Sequence, residues 1–141
     1  MNTESGIRNT ERGMNKPERP KRLGDDLAQR LIEFAARIGK VIDSLPDTRL
    51  GRHVAGQLVR CGTAGAPNYA EARGAESKRD FIHKLGICLK ELRESQCWIE
   101  LIIRAELLPE VRLAPLLDES DQLISIIVKS IATAKARQQK T

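Results

Sequence analysis

The chain has 141 residues, of which 40% are hydrophobic and only 3% aromatic, and its formal net charge is +5. This length suits one domain that buries a core without disulfide or metal support. The scarcity of aromatic residues and of alternating strand patterns argues against a β-sheet protein. An odd number of cysteines, no apolar leader and no long apolar run together predict a soluble cytoplasmic protein with no membrane contact.

Apolar or small residues recur at alternating steps of four and three along three stretches of the chain. Such a seam averages 3.5 residues per repeat and holds one face of a long helix against its neighbours. The pattern therefore predicts an all-α fold, an antiparallel up-down four-helix bundle. The first seam runs from Leu27 to Leu45 and the second from Phe81 to Ile102. The third comprises Leu113, Leu117, Ser120, Ile124, Ile127, Ile131 and Ala134.

The first 22 residues are polar and charged and contain two prolines, a composition that predicts a flexible basic arm. The bundle is expected over residues 23–136, followed by a basic tail over residues 137–141. The first helix should end before Pro46, because proline disfavours helical backbone in the residue before it.

The second helix is expected to start at a cap, Asp47 or Thr48, and to run through Leu50, Val54, Leu58 and Cys61. It should be kinked or broken between Gly62 and Pro67, where small residues also permit close backbone approach. Ser77 is the predicted cap of the third helix, expected to be the longest, which should run from residue 78 to about residue 107. The fourth begins near residues 111–113 and tolerates Pro115 in its first turn.

Charge is distributed unevenly along the chain. Residues 1–22 have a net charge of +3, residues 129–141 have +4, and the remainder has −2. Within the helices, residues 49–93 have a net charge of +5 and residues 100–121 have −4. Oppositely charged surfaces suit a head-to-tail ring of subunits, and a basic stripe suits RNA phosphates, although a solvated face with local ion pairs is the simpler interpretation. The candidate nucleic-acid-binding residues are Arg49, Arg52, Arg60, Lys78, Arg79 and Lys84.

Trp98, the only tryptophan, lies one step off the second seam. It is expected either to pack at a junction of two helices or to anchor a subunit interface.

Catalytic and metal-binding patterns are weak. A metal site in a four-helix bundle usually needs Glu-x-x-His pairs, whereas this chain offers only Asp80 three residues before His83. Arg49 and His53, like Arg79 and His83, could share a helix face, which leaves an RNA-cleaving bundle as a minor alternative. Cys61 and Cys88 are predicted to be buried, so neither is expected to be a nucleophile. We predict no enzyme, no catalytic residue, no metal and no cofactor.

The central part of the chain resembles the four-helix-bundle family of 23S rRNA intervening-sequence proteins. Trp98 and four segments carry the resemblance: residues 57–64 (QLVRCGTA), 68–72 (NYAEA), 77–85 (SKRDFIHKL) and 89–95 (LKELRES). The resemblance implies an antiparallel bundle that assembles into a ring, commonly a homopentamer, without marked catalytic residues. Similar proteins serve diversity-generating retroelements, where a basic ring surface binds a reverse transcriptase and RNA.

The leading hypothesis is therefore a non-catalytic homo-oligomeric scaffold that binds RNA or a nucleoprotein partner such as a reverse transcriptase. A protein-binding adaptor without nucleic-acid affinity is the alternative.

Overall fold

The computed structural model describes residues 20, 22 and 24–139. It contains five helices: α1 (Asp25–Ser44), α2 (Arg49–Gly62), α3 (Gly65–Arg73), α4 (Lys78–Arg104) and α5 (Glu110–Gln139). Because α3 continues the path of α2, these helices form four rods, as the seams predict. Most of the predicted basic arm, residues 1–19 and 21, lies outside the described residues. None of the described helices is long and apolar enough to cross a membrane.

Contacts between neighbouring rods show that they are antiparallel. Arg30 of α1 pairs with Glu119 of α5, whereas Ser44, further along α1, contacts Arg112, which comes earlier in α5. Ile38 with Gly62 and Leu31 with Gly65 show the same reversal between the first and second rods. His53 with Trp98 and Glu71 with Lys84 show it between the second and third rods. The predicted up-down topology is confirmed.

The break in the second rod has a local cause. The helix stops at Gly62 and restarts at Gly65, which makes Pro67 the third residue of a new helix. Proline is tolerated there because first-turn N–H groups lack an intrahelical acceptor. The side chain of Thr63 donates to the carbonyl of Val59 at 2.5 Å, and the Asn68 amide donates to the carbonyl of Ala64 at 2.8 Å. The predicted break is therefore present.

Small residues at this break let α1 approach closely. A Cβ atom placed on Gly62 would lie 2.7 Å from Cγ2 of Ile38, well inside ordinary contact distance. Both residues are buried. The close approach expected at the break is thus made between α1 and the end of α2.

The caps and two of the seams agree with the sequence. Thr48 accepts from the backbone N–H of Gly51, and Ser77 accepts from that of Asp80, each at 3.0 Å. The apolar residues of the α1 and α4 seams are buried or half-buried, with Phe34 among the largest fully enclosed side chains.

The seam of α5 was predicted partly wrongly. Leu116 and Leu123 are buried, whereas the predicted Leu117 and Ile124 are only half-buried. Each pair is adjacent in sequence, so a small rotation of the helix exchanges them. Leu50, near the start of α2, is 41% exposed.

The helix lengths also differ from the prediction. The longest helix is α5, with 30 residues against 27 in α4, and it continues through Gln139 into the predicted tail. At 1.5 Å per residue α5 is about 45 Å long. Pro115 is its sixth residue, one turn deeper than expected.

Candidate nucleic-acid interface

Three of the six predicted RNA-binding side chains already pair with acids. Arg52 contacts Asp47 at 2.8 Å and Lys84 contacts Glu71 at 3.7 Å. Arg60 reaches across from α2 to two carboxylates of α4, Glu91 and Glu94. These pairs lower the positive charge that the predicted stripe presents to solvent.

The other three, Arg49, Lys78 and Arg79, are exposed and form no ion pair within the described residues. Arg49 begins α2 near the end of α4, whereas Lys78 and Arg79 begin α4. More than 20 residues of α4 therefore separate the position of Arg49 from that of Lys78 and Arg79, a distance of about 35 Å along the helix axis. The predicted side chains therefore do not form one continuous surface, and contact with RNA stays a prediction for each.

Trp98 lies at the junction of α2 and α4, half-buried against the core. Its indole N–H donates to Oε2 of Glu94 at 3.2 Å, and its ring meets the ring of His53 edge to face, 5.7 Å between centroids. The hydrogen bond from Trp98 lowers the pKa of Glu94, and the charge of Arg60 acts in the same direction. Of the two roles considered for Trp98, helix-junction packing is present, and contact with another subunit stays a prediction.

The cysteines occupy two kinds of environment. Cys61 and Cys88 are buried as predicted, and Cys97 is exposed. Burial raises the pKa of the Cys88 thiol to about 12 and also raises that of Cys61. Both buried thiols therefore stay protonated and behave as small apolar side chains.

The two histidines do not converge. His53 packs on Trp98, and His83 lies 15 residues before Trp98 on α4, about 22 Å away along the helix. Among residues 24–139, no group of three or more His, Cys, Asp or Glu side chains is arranged to hold a metal ion.

A cleft that the sequence analysis missed lies at the end of the bundle where α1 begins and α5 ends. Its volume is about 1170 Å³, and its walls come from α1, α3, α4 and α5. Apolar side chains form part of its lining: Leu27, Tyr69, Phe81 and Ile126. Its charged lining includes two acids and five bases: Asp25, Asp26, Arg22, Arg30, Arg73, Lys129 and Arg137.

This cleft also marks where the two chain ends leave the bundle. In an antiparallel bundle of four rods, the start of the first and the end of the last lie at the same end. The chain therefore enters the bundle after residues 1–22, which have a net charge of +3, and leaves it through residues 129–141, which have +4, at this same end. Lys78 and Arg79, at the start of α4, lie at this end too. We call this end of the molecule the basic end.

Three of the exposed acids of the segment 100–121 lie at the other end. Glu100, Glu106 and Glu110 are exposed around the turn between α4 and α5. Further along α5, Glu119 is held by Arg30 and Asp121 accepts from Gln96. Because the exposed bases Lys40, Arg49 and Arg104 lie at this end too, its acids do not make it an oppositely charged surface.

The comparisons with known proteins agree with this fold. The family model described as 23S rRNA-intervening sequence protein matches residues 26–129. No curated protein matches the chain. Among solved structures, a protein of unknown function from the S23 ribosomal protein family of Bacteroides thetaiotaomicron is 32% identical, with a TM-score of 0.70 over 74% of this chain and 96% of that one. The match covers all four rods, and the chain belongs to the 23S rRNA-intervening sequence protein family.

Proposed function

We propose that this protein is a non-catalytic, homo-oligomeric helical scaffold that binds RNA, or a nucleoprotein such as a reverse transcriptase with its RNA, through the basic end. The observation that carries the proposal is that two basic sequence segments, +3 and +4, are attached at one end of a body whose charge is −2. A concentrated positive charge binds phosphates by releasing their counterions and needs no base-specific contact. Lys78 and Arg79 extend the same surface onto α4.

Assembly is the second part of the proposal, and the sides of the bundle support it. Ile32 of α1 is 54% exposed and Val59 of α2 is 45% exposed, on two rods that pack together. Exposed apolar side chains near Ala35 and Gly39 offer a surface for a second copy of the chain. The exposed part of the half-buried Trp98 side chain offers another. A ring built through these sides fits better than contacts between opposite ends of the bundle, which would stack subunits in a line. The family resemblance favours a pentamer.

RNA binding is tested with a fluorescently labelled RNA titrated by anisotropy between about 50 and 200 mM salt. The variant Lys78→Glu/Arg79→Glu should weaken binding at least tenfold at low salt. Its control, Lys40→Glu/Arg104→Glu, makes the same change in net charge with exposed residues at the other end of α1 and α4. Equal losses in both variants would mean that net charge, and not the basic end, governs binding.

Two further results would change the proposal. A protein with no RNA affinity at low salt, or with affinity insensitive to salt, would leave the protein-binding adaptor in its place. Substituting Arg49 and Arg52 by Glu tests whether the far end also contacts RNA, as the sequence analysis predicted. Sedimentation at micromolar concentration tests the assembly, and a monomer would contradict it.

A further inference from the structure

The cleft at the basic end combines two properties that a plain charged surface lacks. It is concave, about 1170 Å³, and part of its lining is apolar. Phe81 and Ile126 contribute half-buried apolar side chains from α4 and α5, and Leu27 contributes a buried one from α1. An exposed apolar surface inside a pocket favours a ligand with a flat or apolar part.

The cationic side chains of the lining divide into two sets. Arg30 is held by Glu119 at 2.6 Å and Arg73 by Asp25 at 2.7 Å. Those two serve the fold by tying α1 to α5 and to α3. The side chains of Arg22, Lys129 and Arg137 form no ion pair within the part of the chain that the structure describes. Three cations therefore remain for the charge of a ligand.

A ligand that matches this cleft carries anionic groups beside flat apolar ones. Single-stranded RNA has this chemistry, because its phosphates alternate with unstacked bases whose faces pack on aromatic and apolar side chains. A duplex fits poorly, since its stacked bases present their edges and not their faces to a protein. The volume exceeds that of a pocket for one small molecule, which leaves room for more than one nucleotide.

We propose that the end cleft binds a short single-stranded segment of RNA, with phosphates on Arg22, Lys129 and Arg137 and a base against Phe81 and Ile126. The proposal rests on the proposed RNA-binding function and names the form of RNA that the basic end selects. It places the recognition of RNA in the cleft at the basic end rather than along the predicted basic stripe of α2.

The test compares a cleft-filling substitution with a matched one beside it. Thr133→Trp adds an indole to an exposed residue in the cleft lining without changing charge, whereas Ala132→Trp adds the same group to an exposed neighbour outside that lining. With a short unstructured oligoribonucleotide as probe, Thr133→Trp should weaken binding at least tenfold, and Ala132→Trp should leave it within about twofold. A duplex of the same sequence should bind more weakly than the single strand.

A second variant tests the phosphate contacts without steric change. Lys129→Glu/Arg137→Glu should lower the slope of log affinity against log salt by about 1.4, or about 0.7 for each lost phosphate contact to a single strand. Both residues are exposed, so the bundle should keep its helical circular dichroism.

The outcomes separate this inference from the proposed function. If Lys78→Glu/Arg79→Glu weakens binding and Thr133→Trp does not, RNA passes over the basic end without entering the cleft, and only the cleft proposal fails. Preferential binding of the duplex would overturn it as well. If the unsubstituted protein binds neither single strand nor duplex at low salt, both proposals fail together.

Discussion

The contact between Gly62 and Ile38 gives the sharpest test of the packing. A methyl group added at Gly62 would lie 2.7 Å from Cγ2 and 2.9 Å from Cγ1 of Ile38, whereas ordinary contacts begin near 3.4 Å. Ile38 must therefore shift by about 0.7 Å to admit it. Ile38 is fully buried, so it cannot move aside into solvent.

The expected cost of Gly62→Ala follows from two opposing effects. Forcing an extra methyl group into a well-packed core typically costs about 1–3 kcal/mol. Replacing glycine by alanine inside a helix stabilises the folded protein by about 0.5–1 kcal/mol. The gain is smaller at the last helical residue, which is the position of Gly62. We expect a net loss of about 1–2 kcal/mol in the free energy of unfolding.

The same helix supplies a control. A Cβ atom on Gly56 meets nothing within 4 Å. Gly56→Ala should therefore gain the helix-propensity term alone, about 0.5–1 kcal/mol of stability. The two substitutions are chemically identical and lie six residues apart in α2, yet they should change stability in opposite directions.

Urea unfolding followed by far-ultraviolet circular dichroism, at one fixed protein concentration, measures both changes. Ile38→Ala removes both atoms of the clash, so Gly62→Ala should cost little in that background, although Ile38→Ala itself costs about 2–5 kcal/mol. If Gly62→Ala stabilised the protein as much as Gly56→Ala does, that result would refute the close approach of α1 and α2.

Three other predictions concern different parts of the bundle. Leu123→Ala should cost about 2–5 kcal/mol in urea unfolding and Ile124→Ala clearly less, and equal costs would contradict the observed rotation of α5. The folded state lowers the pKa of Glu94 below its ordinary value of 4.5, so its stabilising effect is complete above that pH and is lost as pH falls through the folded-state pKa. The free energy of unfolding should therefore change more between pH 6 and pH 3.5 in the natural protein than in Glu94→Gln. An equal change in the two proteins would exclude this contribution. In native protein a thiol reagent should modify Cys97 alone, because burial raises the pKa of Cys88 to about 12, and rapid labelling of more than one thiol per chain would contradict the enclosed core.

The course of the rods was predictable because apolar spacing depends on helix geometry alone. In α1 the neighbours of Phe34 and Ile38 are small or charged, so these two residues fix the predicted face, which is the buried one. In α5 the sequence places Leu116 beside Leu117 and Leu123 beside Ile124. Two adjacent apolar residues satisfy the same repeat, so only packing against α1 and α4 decides between them.

The ion pairs could not be predicted in the same way. Arg60 meets Glu91 and Glu94 because α2 turns one particular flank toward α4, and that rotation is a property of two helices together. Lys84 meets Glu71 for the same reason. A charge count over residues 49–93 cannot distinguish a free cation from one neutralised by a neighbouring rod.

The basic end, by contrast, was implicit in the sequence. An even number of antiparallel rods returns the chain to the end where it started, so the two basic segments had to join the bundle at the same end once four rods were predicted. The cleft between them adds a feature that no local pattern carries, since its lining joins Leu27 of α1 to Phe81 of α4 and Ile126 of α5. Residues so distant in sequence become one surface only through the topology.

The same topology would link the proposed assembly to the proposed RNA binding. In a ring whose symmetry axis runs along the rods, every copy would present its basic end on the same face, because each subunit has the same orientation. The positive charges of the subunits would then add on one face, while the acids around Glu106 and Glu110 would lie on the other. RNA that reaches several basic ends at once would gain affinity from effective concentration without any new contact. A scaffold of this kind needs no catalytic residue, since its contribution is to hold one strand at several equivalent positions.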